Sequence, residues 1–383
     1  MTWCQTTGPI LMTTDPIGGV WNYALDLCRE LGKHTIEIKL ASMGRRLHPS
    51  ERAQVGQMAH VELFESDFKL EWMDFPWDDV AAAGDWLGDL AARCAPSLTH
   101  LNQFSHGALD WGVPCLVVGH SCVYSWFQAV KGRLPGAPWQ QYQRMVSRGL
   151  SGADRVTAPS QWMLSALERD YGRFAAAKPI YNGRDSTSFV PRIKEDFILT
   201  SGRLWDEAKN IAVLSSAAAE LDWPIFAAGE IFGPHGEGPG LKNLQLLGRL
   251  VTADLGRWMG RAAVYVLPAY YEPFGLSILE AALAGCALVL GDIASLREIW
   301  QDAALFVPPD DAERIAAALT LLISNAPLRK ALACKARQRA LEFTPERSAH
   351  AYLALYQEML STPRSKNLPS KAVLSNCEGR AQP

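Results

Sequence analysis

The chain has 383 residues, 48% of them hydrophobic, which is too long for one ordinary core and enough for two domains that each bury their own. Its 37 basic and 40 acidic side chains leave a net charge of -3, so no whole-protein field draws in nucleic acid, and nucleic acid is excluded as an expected partner. Eight cysteines lie scattered without a Cys-x-x-Cys pair, and neither a secretory leader pattern nor an apolar run of spanning length occurs, so the expected setting is cytoplasmic.

In chain order, residues 9–13 read as a short apolar strand and 20–31 as a helix with Val20, Tyr23, Ala24, Leu27, Cys28 and Leu31 on one stripe. The loop Gly18-Gly19 joins them. The unit lacks Gly-x-Gly-x-x-Gly and no suitably placed acid follows on the second strand, which makes a nicotinamide oxidoreductase a poor candidate. Strands at 35–41, 98–102, 115–119 and 155–158 alternate with helices at 85–95, 140–150 and 160–171, the pattern of a parallel sheet covered on both faces. Residues 68–86 hold Trp72, Phe75, Trp77 and Trp86 among five acids; they read as partly buried aromatics in a helical excursion, with stacking on a saccharide as the alternative. His106 and Asp110 lie between two strands, where contact with an acceptor and stabilisation of a loop both stay open.

The polar segment 172–195, with Pro179, Asn182-Gly183 and Pro191, reads as a hinge. A second alternating series then runs from residue 196 through 214–221, 224–228, 244–247, 254–261, 262–267, 286–290 and 305–307. From 312 the chain is mostly helical to about 360, and beyond 362 it lacks periodicity and reads as a disordered tail. The expected division is 1–175, 176–343, a helix at 344–361 and a tail at 362–383.

Two stretches carry chemistry. The first, Tyr271-Glu272-Pro273-Phe274-Gly275-Leu276-Ser277-Ile278-Leu279-Glu280, follows a buried strand and opens a helix that Gly285 ends. A helix starting there points its free N–H groups and positive dipole end at the loop, which suits a phosphate. Glu272 precedes the helix and Glu280 sits about one turn inside it, so the two carboxylates address different hydroxyls of one ligand, as a nucleotide-sugar offers on its ribose and its sugar. The second stretch, Ser201-Gly202-Arg203 to Lys209, turns from a strand and presents a forked donor and a compact charge, the pair that a diphosphate needs. Its plainer alternative is that Arg203 and Lys209 pair with Asp206 and Glu207 in solvent.

With Asp15-Pro16-Ile17-Gly18-Gly19-Val20, His120-Ser121, Ala158-Pro159-Ser160, Tyr181-Asn182-Gly183-Arg184-Asp185 and Phe306-Val307-Pro308-Pro309-Asp310-Asp311, these stretches follow one order over nearly the whole chain. In that order they resemble the retaining glycosyltransferases of family 4, of GT-B architecture. The resemblance implies an α/β fold of two Rossmann-like domains whose parallel sheets face each other across a cleft. The first domain would take the acceptor and the second the nucleotide-sugar donor, and the helix at 344–361 would return to brace the first.

The resemblance further implies sugar transfer from a nucleoside-diphosphate sugar to a glycan or other hydroxyl acceptor, with retention, no metal and no cofactor beyond that co-substrate. Arg203 and Lys209 would bind the diphosphate, Glu280 the ribose, and Glu272 with the amides around Phe274, Gly275 and Leu276 the transferred sugar. Gly18 and Gly19 would border the donor, and His120 would contact its sugar, with a structural strand cap as the alternative reading. Front-face attack rests on the resemblance alone. Arg184 stands where the family usually has Val; contact with the ligand and a local pair with Asp185 both stay open, and the pair is the expectation. Basic residues at Arg45, Arg46, Lys131 and Arg133 keep a peripheral membrane contact open, and the oligomeric state is undetermined. A sugar-nucleotide epimerase and a non-catalytic sugar-nucleotide-binding subunit are the alternatives.

Overall fold

The computed structural model describes residues 8–362 except 234, 235, 237 and 239. The tail expected beyond 362 lies outside the described residues. The first half contributes β1 (Ile10–Thr14), β2 (Ile38–Ser42), β3 (Val61–Glu65), β4 (Leu98–Leu101), β5 (Cys115–Val118) and β6 (Arg155–Thr157). They form one sheet in the order β3-β2-β1-β4-β5-β6, with every neighbouring pair parallel.

The second half repeats this with β7 (Glu195–Ser201), β8 (Ile225–Ala228), β9 (Leu244–Gly248), β10 (Ala262–Leu267), β11 (Ala287–Gly291) and β12 (Leu305–Val307). Its order is β12-β11-β10-β7-β8-β9, again all parallel. Numbered from its own first strand, the second sheet has the first one's order. β1, β10 and β11 are buried along their whole length and largely apolar, as strands in a sheet covered on both faces are.

In both sheets the strand order reverses at one point, between β1 and β4 and between β7 and β10. The crevice outside the carboxyl ends of the strands at such a point is where open α/β sheets take ligands. This places the segments after Thr14, Leu101, Ser201 and Leu267 at the two crevices.

The terminal helix Pro345–Ser361 starts on a Thr344 cap and buries Ala349, Tyr352, Leu353, Tyr356 and Met359 against Trp21, Tyr23, Leu27, Leu31 and Leu98 of the first half. Four helices and strands have no counterpart among the expected elements: the helix Pro49–Gly56, the strand β3, the helix Val123–Lys131 and the helix Ala294–Trp300. β3 is an edge strand whose residues are at most half-buried, so its Val-Glu-Leu-Phe-Glu carries little apolar signal. The helix expected at 85–95 begins at Trp77, with Asp78 and Asp79 complementing its dipole, and spans Trp77–Cys94. Phe75 before it is 92% exposed, while Trp77 and Trp86 pack against the first core.

Among the described residues no single helix is long and apolar enough to cross a membrane. The basic side chains considered for a membrane surface are largely engaged: Arg45 with Glu51, Arg46 with Asp67 and Lys131 with Glu207.

Candidate functional site

At the end of β7 the chain turns at Gly202 into Arg203, whose Nη2 donates to Asp206 Oδ2 at 2.7 Å. Asp206 is buried and also accepts from the Ala208 amide. Burial pushes its carboxyl up, but Arg203 and Lys209 more than offset this and hold it below the ordinary value. Asp206 thus holds the guanidinium in place. Among the described residues, Arg203 Nε and the indole nitrogen of Trp205 are buried with no partner, and the Trp205 ring lies 5.6 Å from the guanidinium carbon.

Lys209 does not take the local partner of the plainer alternative. Its Nζ meets Glu272 Oε2 at 2.5 Å, across from β7 to the loop after β10, and Glu207 pairs with Lys131 instead. Ser295 Oγ donates to the Glu272 carbonyl at 2.7 Å and steadies that loop. The plainer alternative for this turn is therefore half realised: Arg203 pairs locally, whereas Lys209 joins the two motifs.

The helix Leu276–Leu283 begins after Gly275 at φ 91, a left-handed conformation that Gly adopts without strain. No side chain caps its first turn. The same holds for the helix Gly19–Gly32, whose N-cap Gly18 has φ 113. These two helix starts approach each other. A Cβ on Gly18 would sit 3.0 Å from Arg203 Nη1, and one on Gly19 would sit 3.3 Å from Leu276 Cδ1. Two uncapped N-termini and the Arg203 guanidinium therefore converge, a concentration of donors and positive potential suited to an anion. Phe274 turns the other way, its ring buried against Phe343, so only its backbone can serve a ligand.

Asp15, beyond β1, is buried beside this cluster. Burial pushes its carboxyl up, and the Ile17 amide, Arg203 and Arg45 pull it partly back, leaving it at about 6.

His120 follows β5. Its Nε2 lies 2.7 Å from Asn102 Oδ1, and Asn102 in turn donates to the Thr13 carbonyl at 2.6 Å. Since Asn102 offers an oxygen, Nε2 carries the proton and Nδ1 is the ring's acceptor. Tyr23 packs against the ring at 4.5 Å, and burial lowers its pKa to about 3, so the imidazole is neutral.

Glu280 is buried, and its Oε1 accepts from Arg184 Nε at 2.7 Å. Arg184 Nη1 reaches Asp26 on the helix Gly19–Gly32, also at 2.7 Å. The expected pair of Arg184 with Asp185 does not form, because the Asp185 carboxylate caps Thr187 and leaves the guanidinium to the buried acids.

The structure does not bring His106 and Asp110 to this cluster. His106 is buried with Nε2 against the Val80 carbonyl, and Asp110 is exposed and accepts from the Gly112 amide. Conversely, Asp15, Asn102, Trp205 and Tyr271 carry no assigned role in the sequence, and Asp206 enters it only as a local partner for Arg203. Tyr271 crosses into the first half, where its hydroxyl lies 3.1 Å from the Cys122 amide and 3.0 Å from Ser125 Oγ. The signal for Tyr271 is its place beside Glu272; for Asp15 and Asn102, only their place directly after β1 and β4.

Residues 17–188 match the family described as glycosyltransferase family 4, and residues 184–339 match glycosyl transferases group 1. A phosphatidyl-myo-inositol mannosyltransferase of Mycolicibacterium smegmatis is 31% identical over 199 residues, 47% of this chain and 50% of that protein. A glycogen synthase of Mycobacterium tuberculosis is 37% identical over 101 residues, 26% of this chain and 24% of that protein. The chain thus spans half or less of the length of these curated relatives. Among solved structures, a sucrose-phosphate synthase from Thermosynechococcus elongatus superposes with a TM-score of 0.76 at 18% identity, covering 92% of this chain and 98% of that one. Anabaena HepE, in complex with UDP and glucose, does so with a TM-score of 0.72 at 16% identity, over 92% of this chain and 100% of that one.

Proposed function

Given that the chain belongs to the glycosyl transferases group 1, with glycosyltransferase family 4 features in its first half and GT-B architecture, we propose that it transfers a sugar from a nucleoside-diphosphate sugar to an acceptor hydroxyl, with retention and without a metal. The observation that carries this reading is the convergence of two uncapped helix starts on Arg203, whose Nε and neighbouring Trp205 indole nitrogen lack partners among the described residues. A diphosphate supplies the acceptors and negative charge that these groups lack. The complex of HepE, a solved neighbour of the same fold, with UDP and glucose supports a donor of this chemical class.

The residues act as follows. Departure of the nucleoside diphosphate builds negative charge on its oxygens, and cations already fixed in position lower the barrier without reorganising. Arg203 is held by Asp206, and Lys209 exchanges its contact with Glu272 for the diphosphate. Glu272 then accepts from hydroxyls of the transferred sugar, Glu280 Oε2 accepts from the ribose, and neutral His120 accepts at Nδ1 from the sugar. The acceptor is a hydroxyl of a glycan, a lipid-linked sugar or a small molecule. The test is a thermal-shift panel of UDP, GDP, ADP, TDP and their sugars. At least one must stabilise the protein, and Arg203→Ala must abolish that shift; no response to any of them overturns the reading.

A further inference from the structure

Arg184 is the departure from the family's usual sequence that the proposed chemistry leaves unused. Its guanidinium is nearly buried and divides its nitrogens between two carboxylates: Nε to Glu280 Oε1 and Nη1 to Asp26 Oδ2, each at 2.7 Å. The Phe189 ring lies 5.3 Å from the guanidinium carbon and walls that side. Asp26 belongs to the helix Gly19–Gly32 of the first half, and Glu280 to the helix Leu276–Leu283 of the second. One cation in the hinge segment therefore spans the two halves.

The two acids are not held alike. Asp26 has both oxygens occupied, Oδ2 by Arg184 and Oδ1 by Arg29 at 2.7 Å. Glu280 has only Oε1 occupied, and among the described residues no hydrogen bond reaches Oε2. A buried carboxylate with one oxygen clamped and the other unused is a directed acceptor. A lone buried carboxylate would instead protonate, because burial pushes Glu280 up and only Arg184 pulls it back, against Asp26, which pushes it further. The fork matters as well as the charge, because a lysine ammonium cannot face two carboxylates along fixed directions.

We infer that Arg184 is a positioning residue for nucleotide recognition: it aims Glu280 Oε2 at the ribose hydroxyls of the donor and fastens that carboxylate to Asp26 of the opposite domain. The inference rests on the proposed role of Glu280 in binding ribose.

The test compares binding of UDP, GDP and ADP, and of the 2′-deoxy and 3′-deoxy forms of whichever binds best, to four proteins: wild type, Glu280→Gln, Arg184→Met and the double variant Arg184→Met with Asp26→Asn. The double variant removes one charge of each sign, so Glu280 loses its cation without the Asp26 charge beside it, and the double variant keeps the fold if the single variant loses it. Wild type is expected to lose about tenfold in affinity when a ribose hydroxyl is deleted, the worth of one hydrogen bond to a charged group. Glu280→Gln and both Arg184 variants should lose most of that discrimination while binding inorganic pyrophosphate as wild type does, since pyrophosphate reads Arg203, Lys209 and the two helix starts and has no ribose for Glu280 to read. General unfolding would weaken both ligands together. If the Arg184 variants keep wild-type discrimination while Glu280→Gln loses it, the inference is overturned and the ribose reading stands. If wild type itself ignores the hydroxyls, the ribose reading fails and the inference falls with it.

Discussion

Lys209 Nζ lies 2.5 Å from Glu272 Oε2, so the cation assigned to the diphosphate and the carboxylate assigned to the sugar neutralise each other before any donor arrives. The pair is half-buried, and at 4 Å and an effective dielectric near 20 such a contact is worth on the order of 4 kcal/mol before desolvation is counted. A donor that separates the two satisfies both, whereas a nucleoside diphosphate without sugar leaves Glu272 without its cation. Replacing Glu272 with Gln should therefore preserve or tighten binding of the nucleoside diphosphate while slowing transfer at least about tenfold. Calorimetry with the nucleotide and kinetics with its sugar check this, and parallel losses in both would contradict it.

Asp15 provides a pH signature. Its carboxyl titrates at about 6, raised chiefly by burial, close to the Arg203 cluster. The diphosphate of a nucleotide-sugar is a diester whose charge is constant over this range. Above the Asp15 pKa a carboxylate charge faces this dianion, and below that pKa the charge is absent. Donor affinity should accordingly be highest below about pH 6 and decline as pH rises through it, and Asp15→Asn should flatten the profile. The same raised pKa means that this carboxyl's contribution to folding is complete below its unfolded value of roughly 3.9 and is lost as pH rises through about 6.

Tyr271 joins the two halves through its hydroxyl, which accepts from the Cys122 amide at 3.1 Å. In Tyr271→Phe that buried N–H loses its acceptor, which costs about 1–3 kcal/mol. Chemical denaturation should show the loss in full. A variant as stable as wild type would mean that Ser121 and Ser125 close over the gap.

The Asn102–His120 hydrogen bond fixes the tautomer that leaves Nδ1 free to accept. Asn102→Leu should free the ring and slow transfer roughly tenfold, with nucleotide affinity unchanged, since neither residue is assigned to the nucleotide. A loss confined to nucleotide binding would place His120 elsewhere in the reaction.

At Gly18 the backbone has φ 113 and a side chain would press on Arg203 Nη1 at 3.0 Å. Gly18→Ala should cost about 1–3 kcal/mol in backbone strain and also weaken donor binding, because the guanidinium must move. Calorimetry separates the two effects, and undiminished donor affinity would show that Arg203 has room to spare.

What was legible in the sequence followed from local patterns. The buried runs at 115–119 and 262–267 were readable as strands because parallel strands covered on both faces are apolar throughout. The Gly-rich starts and the acidic turn were readable because helix N-termini have obligatory chemistry. The edge strand β3 was not, since half its surface faces solvent and its residues alternate with charge. Partners distant in the chain were equally hidden: Arg184 has Asp185 beside it, yet bonds Asp26 and Glu280, because Asp185 can cap its own turn while a buried guanidinium must find buried acids. Lys209 shows the same limit, passing over Glu207 for a carboxylate brought close only by the pairing of β7 with β10.

The central claim is that two fixed cations stabilise the departing diphosphate, and single-turnover sugar transfer by Arg203→Ala and Lys209→Ala tests it most directly. With the preferred nucleotide-sugar at saturation, each variant should transfer about 10²- to 10³-fold more slowly than wild type. Wild-type rates in both variants would contradict the account.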